Sequence, residues 1–225
     1  MSRLCDVLDE LRRGNKTPDA YSREIESLVR SLPSQKQNLI IRCNQEISDI
    51  HSGQTRGDGA PYVIHPRRVS IIASALCDQE DLAESLLVAL LHDVVEDCGV
   101  SPDAISARYG EAVSRAVTLL SAPMRPGESR ADRKNRKETK ARQVEAAGGT
   151  TLTVHFADIL DNVVSWRNLT PEMSAWEKLP RWLWQVSNWY LPLAERHRPE
   201  IAAELENEIR FEDGRGIFAG SWTDA

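Results

Sequence analysis

The sequence predicts an all-α fold, and three observations carry that prediction. Apolar residues recur three or four positions apart along most of the chain, which is the spacing of one helix face. Glycines and prolines fall between these segments, where helices end and begin. Val, Ile and Thr do not alternate with polar residues in a series of strand-length runs. Helices packed around an apolar core are therefore the expected architecture.

The helices follow from these patterns in chain order. Thr17-Pro18 and Ser101-Pro102 each combine an N-cap side chain with a proline at the first helical position. The expected helical segments are Leu4 to Leu11, one opening at Thr17-Pro18, residues 35–52, 67–76 and 79–97, one opening at Ser101-Pro102, residues 111–120, a basic helix from 130 and residues 151–168. Prolines divide the tryptophan-rich last third into short helices.

Residues 53–66 interrupt the helical pattern. The segment GQTRGDGAPYVIHP holds three glycines and two prolines, which is typical of turns, so we expect a loop with one short β-hairpin near residues 55–64. Around it we predict a helical extension over residues 1–34, a main domain over 35–195, and a C-terminal helix and tail over 196–225. The two end segments either extend the bundle or form the surface of a homodimer.

Composition excludes several classes of protein. Of the 225 residues, 41% are hydrophobic and 28% charged, which is ordinary for a globular domain. Lys+Arg number 28 against 34 Asp+Glu, and the net charge of -6 argues against nucleic-acid and anionic-membrane partners. No apolar run approaches the ~18 residues that span a membrane. The N-terminus lacks the apolar core of a signal peptide and the cysteines are dispersed, so we expect a cytoplasmic protein with reduced thiols.

The segment LLVALLHDVVED, residues 86–97, says most about function. It begins apolar on every side, as buried helices do, and ends in His92, Asp93, Glu96 and Asp97. Three carboxylates this close repel one another, and the dipole at a helix C-terminus disfavours anions. Such a cluster normally requires a cation, and His92 with Asp93 supplies one nitrogen and one oxygen ligand. The alternative, an exposed polar helix end, fits poorly with the apolar residues before it.

Two ligands leave a metal site incomplete, so further donors are expected. His65 stands where the loop meets the next helix, a rigid position suited to a ligand. Asp158 lies in an otherwise apolar run, and Asn162 follows four residues later on the same helix face. His51 is another candidate, although a hydrogen-bonded histidine at a helix end is an equal alternative. The basic stretch 130–142 has two interpretations, a solvated helix face or a flank for a phosphorylated substrate.

Taken in order, HSGQTRGDGAPYVIHP, LLHDVVED and ADILDN resemble the motifs of the RelA/SpoT-type alarmone hydrolases, a branch of the HD-domain metal-dependent phosphohydrolases. The resemblance covers roughly residues 35–190 and implies an HD-domain helical bundle. No synthetase domain follows in the sequence, so the chain resembles a stand-alone small alarmone hydrolase. The resemblance implies one divalent metal, typically Mn²⁺, with the ligands His65, His92, Asp93 and Asp158. It also places His51 outside the metal shell.

The resemblance implies roles for five further residues. Glu96 and Asp97 match the residues that handle the attacking water and the proton transfer. Arg56 matches a basic residue that packs on the nucleotide, and Asn162 matches one that lines the nucleotide pocket. Trp182 falls near a tyrosine that is frequent in the family and is a candidate for base stacking.

The reaction implied by the resemblance is hydrolysis of the 3′-diphosphate of guanosine tetra- or pentaphosphate, giving GDP or GTP and pyrophosphate. The chain departs from the family pattern at several positions, and the segment Arg56-Gly57-Asp58-Gly59 lacks a second basic residue. His155 replaces a usual lysine, Ile159 replaces a basic residue, and Asp161 adds an acid. The alternatives are therefore an HD phosphohydrolase acting on another nucleotide, such as (p)ppApp or NADPH, and a non-catalytic alarmone-binding protein.

Overall fold

The fold was obtained as a computed structural model that describes residues 3–123 and 127–218. These residues form α1 Arg3–Arg12, α2 Pro18–Leu28, α3 Ser34–Ile50, α4 Ile64–Leu76, α5 Leu82–Leu91, α6 Val94–Cys98, α7 Pro102–Tyr109, α8 Glu111–Leu120, α9 Arg130–Ala147, α10 Gly149–Ser165, α11 Leu179–Gln185, α12 Leu191–His197 and α13 Pro199–Gly214. Short 3₁₀ turns and a π-helical turn, Val186–Tyr190, join some of them. The predicted all-α class is confirmed. Within the described ranges, no helix is long and apolar enough to cross a membrane.

The predicted β-hairpin near residues 55–64 is wrong as regards its strands. Across the described residues, β geometry is limited to isolated bridge positions at Thr55 and Pro61. The Arg56 N–H donates to the Ala60 carbonyl at 2.8 Å, and Gly59 turns the chain with a φ of 82°. Because Pro61 has no N–H to donate, a hydrogen-bonded ladder cannot extend through it. The segment is a tight loop, and α4 begins soon after it.

The starts of α2 and α7 agree with the predicted capping residues. The Thr17 and Ser101 side chains accept hydrogen bonds from the backbone N–H groups of Ala20 and Ala104, respectively. Ser129 and Asp132 form a reciprocal capping box at the start of α9. Gly99 ends α6 with a left-handed φ of 68°, as expected for a C-terminal glycine.

The helix predicted over residues 79–97 is interrupted near its C-terminal end. It forms as α5 and α6, with His92 and Asp93 between them. The ring Nδ1 of His92 lies 2.8 Å from the carbonyl oxygen of Ala89. That oxygen is the acceptor that a continuing helix would offer to the Asp93 N–H. The side chain competes with the backbone there, and a new helix starts with the Asp97 N–H bonded to the Asp93 carbonyl.

The chain divides into two compact units. The larger unit comprises Lys16–Gln54 and Pro61–Asp158, and the smaller comprises the described parts of 1–15, 55–60 and 159–225. In the larger unit, α4 is buried along nearly its whole length, and α5 is buried at every position except Glu84. These two helices pack against each other. The backbone at His65 in α4 and at His92 after α5 is therefore held by a rigid apolar core. The predicted domain division at residues 34 and 195 stays a prediction.

Buried ion pairs hold α1 to α13 in the smaller unit. Glu208, only 2% exposed, accepts from Arg12 Nε at 2.8 Å and from Arg167 Nε at 2.7 Å. Arg12 also donates to Glu204 at 2.6 Å. A charge removed from such a cluster leaves its partners desolvated and uncompensated.

Replacing Glu208 with alanine should lower the free energy of unfolding by about 3 kcal/mol, because Arg12 and Arg167 lose a buried counter-charge. Glu206→Ala is the matched control, since its side chain is exposed and forms an i,i+4 pair with Arg210 at 3.6 Å. That control should change the stability by less than about 0.5 kcal/mol. Urea denaturation followed by circular dichroism measures both, and equal effects of the two variants would refute this account of the cluster.

Candidate metal centre

Three parts of the larger unit bring the predicted metal ligands together. His65 lies in the first turn of α4, immediately after the turn-rich loop. His92 and Asp93 occupy the break between α5 and α6, and Asp158 lies on α10. The break matters because it directs the His92 and Asp93 side chains from adjacent positions toward one point. All four residues belong to the larger unit.

The donor atoms of these residues face one another closely. His65 Nε2 lies 3.2 Å from His92 Nε2, 3.4 Å from Asp93 Oδ2 and 3.3 Å from Asp158 Oδ1. His92 Nε2 lies 3.0 Å from Asp93 Oδ2 and 3.8 Å from Asp158 Oδ1. Ligand atoms about 2.1 Å from a metal and at right angles to each other are about 3 Å apart. The spacing therefore suits a shared divalent ion.

The tautomer of His92 also suits a metal ligand. Its Nδ1–H donates to the Ala89 carbonyl, so Nε2 carries the lone pair that faces His65. A carbonyl that accepts from the second ring nitrogen is the usual support of a metal-binding histidine. Two imidazole nitrogens 3.2 Å apart, both directed at two carboxylates, need a cation or a proton between them.

The electrostatics of the cluster favour positive charge. Burial lowers the pKa of His92, but the Asp93 and Asp158 carboxylates together raise it more, so the pKa lies above its ordinary value. Burial raises the pKa of Asp93, but the His92 and His65 imidazoles lower it by a larger amount. The pKa of Asp93 therefore lies well below its ordinary value. The same opposition lowers the pKa of Asp158, with His65 as the main favourable contact. Both carboxylates are thus ionised around a point that stabilises a cation.

Among the described residues, the group able to hold a metal is His65, His92 and Asp93, to which Asp158 adds a fourth donor. Nitrogen and oxygen donors in this mixture suit Mn²⁺, Zn²⁺ or Fe²⁺. His51 is not part of the group. It is the C-cap residue that follows α3, and its Nδ1 lies 2.8 Å from Gln54 Oε1.

Asp97 and Glu96 have different surroundings. Asp97 Oδ2 accepts from the Tyr62 hydroxyl at 2.7 Å, and the same hydroxyl lies 2.7 Å from Asp93 Oδ2. Asp97 is thereby linked to the metal-ligand cluster. Glu96 instead accepts from the Ala122 N–H at 2.7 Å, and the Ala122 carbonyl is bound by Arg136.

Tyr62 is the site residue that the sequence reasoning missed. The sequence pattern places Tyr62 only in the loop motif, although its hydroxyl contacts two predicted site carboxylates. Burial, together with the charges on Asp93 and Asp97, raises the pKa of Tyr62, so the hydroxyl stays protonated and donates. The tyrosine of the Pro61-Tyr62 pair, three residues before His65, was the available signal, but its partners lie 31 and 35 residues away along the chain.

The predicted nucleotide-binding residues lie in the smaller unit. Arg56 Nη2 donates to Asn162 Oδ1 at 3.1 Å and to Ser165 Oγ at 2.9 Å, and its Nη1 lies 3.4 Å from the buried Asp161 carboxylate. These contacts fix the plane of the guanidinium group. Trp182 is half-buried and stacks on Trp166 with ring centroids 5.8 Å apart.

The basic stretch 130–142 forms the first part of α9, and most of its described side chains are exposed. Arg136 is an exception, because it donates two hydrogen bonds to Glu128 at 2.7 and 2.9 Å. Arg136 therefore already has a partner within the chain, Glu128, which weakens the prediction that this residue contacts a phosphorylated substrate. A solvated helix face describes most of the remainder.

Known proteins resemble this chain in sequence and fold. A sequence profile of the HD domain matches residues 45–197. The guanosine-3′,5′-bis(diphosphate) 3′-pyrophosphohydrolase of Vibrio cholerae is 34% identical over 172 residues, covering 73% of this chain and 22% of that protein. The bifunctional (p)ppGpp synthase/hydrolase SpoT of Escherichia coli is 30% identical over 176 residues, with the same coverage, 73% and 22%. The chain thus spans 22% of the length of these curated relatives.

A solved structure of a metazoan ortholog of SpoT that hydrolyzes ppGpp has a similar fold. It matches with a TM-score of 0.62 and 24% sequence identity, over 81% of this chain and 98% of the other. At that identity the match supports the helical fold.

Replacing His92 with alanine should abolish high-affinity Mn²⁺ binding, because it removes the donor that faces both His65 and Asp93. Isothermal titration calorimetry with Mn²⁺ measures the effect. His197→Ala is the control, since this exposed histidine at the end of α12 makes no part of the cluster. Equal Mn²⁺ affinity of the His92→Ala variant and the wild type would contradict the assigned centre.

Mn²⁺ affinity should fall as the pH is lowered, because protons compete with the metal for imidazole. The pKa of His92 is raised above 6.5. Below the raised pKa the ring must lose a proton to bind metal, and above it the ring is already neutral. The affinity should therefore rise by up to about tenfold per pH unit for each proton released and then level off. Titrations from about pH 6 to about pH 8 test this, and a pH-independent affinity would exclude a histidine ligand.

Proposed function

The chain belongs to the HD domain family, and we propose that it is a metal-dependent hydrolase that removes the 3′-diphosphate from guanosine tetra- or pentaphosphate. The observation that carries the proposal is the convergence of two imidazole nitrogens and two carboxylate oxygens. The two nitrogens lie 3.0–3.8 Å from each other and from the carboxylate oxygens. The names of the similar curated proteins support the choice of substrate.

We assign the metal to His65, His92, Asp93 and Asp158, and Mn²⁺ is the ion that we propose. A divalent cation at such a site supplies Lewis-acid stabilisation of phosphate charge and activates water. The chain's own contribution is the rigid placement of the donors. His92 is fixed through Ala89, and both histidine side chains are 3% exposed. A site held this rigidly does not need to reorganise when charge develops on the phosphate.

The proton transfers are assigned to Asp97 and Glu96. Hydrolysis adds water to phosphorus and breaks the bond to the 3′ oxygen, so one group must take a proton from water and one must return a proton to the leaving oxygen. Asp97 is linked to the metal ligand Asp93 through Tyr62, which supports a role beside the attacking water. Glu96 is exposed and bound to the Ala122 N–H, and its role rests on the family pattern alone.

Nucleotide binding is assigned to Arg56, Asn162 and Trp182. Arg56 is held by Asn162 and Ser165 and lies beside the Asp161 carboxylate. Its planar guanidinium group can stack on a base or pair with a phosphate. Asp161 beside Arg56 is the observation that keeps adenosine polyphosphates as a second candidate substrate, because the family pattern has no acid at this position. A cytoplasmic location and a homodimer remain predictions from the sequence.

Incubation of the chain with Mn²⁺ and a panel of nucleotides should release pyrophosphate from ppGpp, with GDP formed in equal amount. The panel comprises ppGpp, ppApp, NADPH and GTP, and each reaction is followed for pyrophosphate and phosphate by anion-exchange chromatography. The His92→Ala variant, which loses a metal donor, should release none. Faster release from ppApp would move the substrate to adenosine, and a preference for NADPH or binding without turnover would reject the proposed reaction.

A further inference from the structure

We propose that Tyr62 is a positioning residue whose hydroxyl joins the metal ligand Asp93 to the proton-transfer residue Asp97. The inference deepens the proposed hydrolase function and rests on it for its kinetic consequence. Its structural consequence, on metal affinity, stands without it.

The hydroxyl meets both carboxylates at short distance. Tyr62 Oη is 2.7 Å from Asp93 Oδ2 and 2.7 Å from Asp97 Oδ2, the usual length of a strong O–H···O hydrogen bond. A phenol has one proton to donate. Two carboxylates therefore share a single donor, and their separation is set by the position of one oxygen atom.

The contact on Asp93 involves the oxygen that faces the metal centre. Asp93 Oδ2 is also the atom 3.0 Å from His92 Nε2 and 3.4 Å from His65 Nε2. A hydrogen bond to a ligating oxygen orients the carboxylate and adjusts its basicity. Tyr62 thus acts on the metal through Asp93 and on the attacking water through Asp97, and it touches neither itself.

The ring of Tyr62 is held independently of its hydroxyl. It stacks on His51 with centroids 4.9 Å apart and meets His65 edge-on at 5.7 Å. Its backbone N–H donates to the Gln54 carbonyl at 2.9 Å, and its carbonyl accepts from the His65 N–H at 2.8 Å. The His51 ring therefore supports the Tyr62 ring, and Gln54 orients the His51 ring through its contact with Nδ1. Removing only the hydroxyl should therefore leave the ring in place.

Without the hydroxyl, the carboxyl groups of Asp93 and Asp97 face each other without the donor that Tyr62 supplies. Asp97 is exposed, so without this contact its side chain can turn toward solvent. Asp93 then loses the contact that fixes its ligating oxygen. Outer contacts of this kind typically change metal affinity or activity by about 10- to 100-fold.

The test compares Tyr62→Phe with Tyr109→Phe. Tyr109 is a matched control, because its hydroxyl also donates to a carboxylate, that of Glu46, at 2.6 Å. Tyr109 lies on α7 and is not one of the residues of the metal cluster. Each variant is measured for Mn²⁺ affinity by calorimetry, for kcat and KM with ppGpp, and for thermal unfolding by circular dichroism. Tyr62→Phe should weaken Mn²⁺ binding about tenfold and lower kcat at saturating Mn²⁺ about 10- to 100-fold. KM should stay within about twofold, and the melting temperature should match that of Tyr109→Phe.

The Mn²⁺ affinity and the kinetic constants together separate this inference from the proposed function. If the wild type hydrolyses no nucleotide in the panel, the proposed reaction fails, and Mn²⁺ affinity alone decides the role of Tyr62. Unchanged Mn²⁺ affinity in Tyr62→Phe overturns the inference, as does an unchanged kcat in an active enzyme. A loss that appears only in KM, or equally in Tyr109→Phe, also overturns it.

Discussion

The close approach of two imidazoles and two carboxylates is the constraint on which the rest of the site depends. His65, His92, Asp93 and Asp158 come from three separate parts of the chain and place ionisable atoms 3.0–3.8 Å apart along the measured pairs. Such a cluster is stable only around positive charge, because carboxylates this near one another repel strongly where water is scarce. The raised pKa of His92 and the lowered pKa values of Asp93 and Asp158 are consequences of the same need.

The surrounding larger unit meets this constraint with rigid packing and directed hydrogen bonds. The buried helices α4 and α5 fix the backbone at His65 and His92, and the break after α5 lets two adjacent residues face the same point. Ala89 sets the tautomer of His92, and Tyr62 ties Asp93 to Asp97. Each of these contacts orients a residue proposed as a metal ligand, so the placement of the donor atoms also depends on residues outside the proposed ligand set.

Many helix starts could be predicted from sequence, because they depend on local signals, and the four residues proposed as metal ligands follow from ordered sequence motifs. Capping residues such as Thr17 and Ser101 identify helix starts, and the adjacent His92-Asp93 pair indicates a ligand site. What could not be predicted depends on tertiary contacts. The break at His92 follows from a side chain competing for the Ala89 carbonyl, and the Tyr62 contacts join residues more than 30 positions apart. The Glu96 contact with Ala122 is likewise invisible to helical periodicity.

The most direct test of the central claim is anomalous diffraction from crystals of the Mn²⁺-loaded protein, recorded at the manganese absorption edge. The account predicts one strong anomalous peak within bonding distance of His65 Nε2, His92 Nε2, Asp93 Oδ2 and Asp158 Oδ1. A peak elsewhere in the chain, or one that any of these four residues fails to contact, would contradict it.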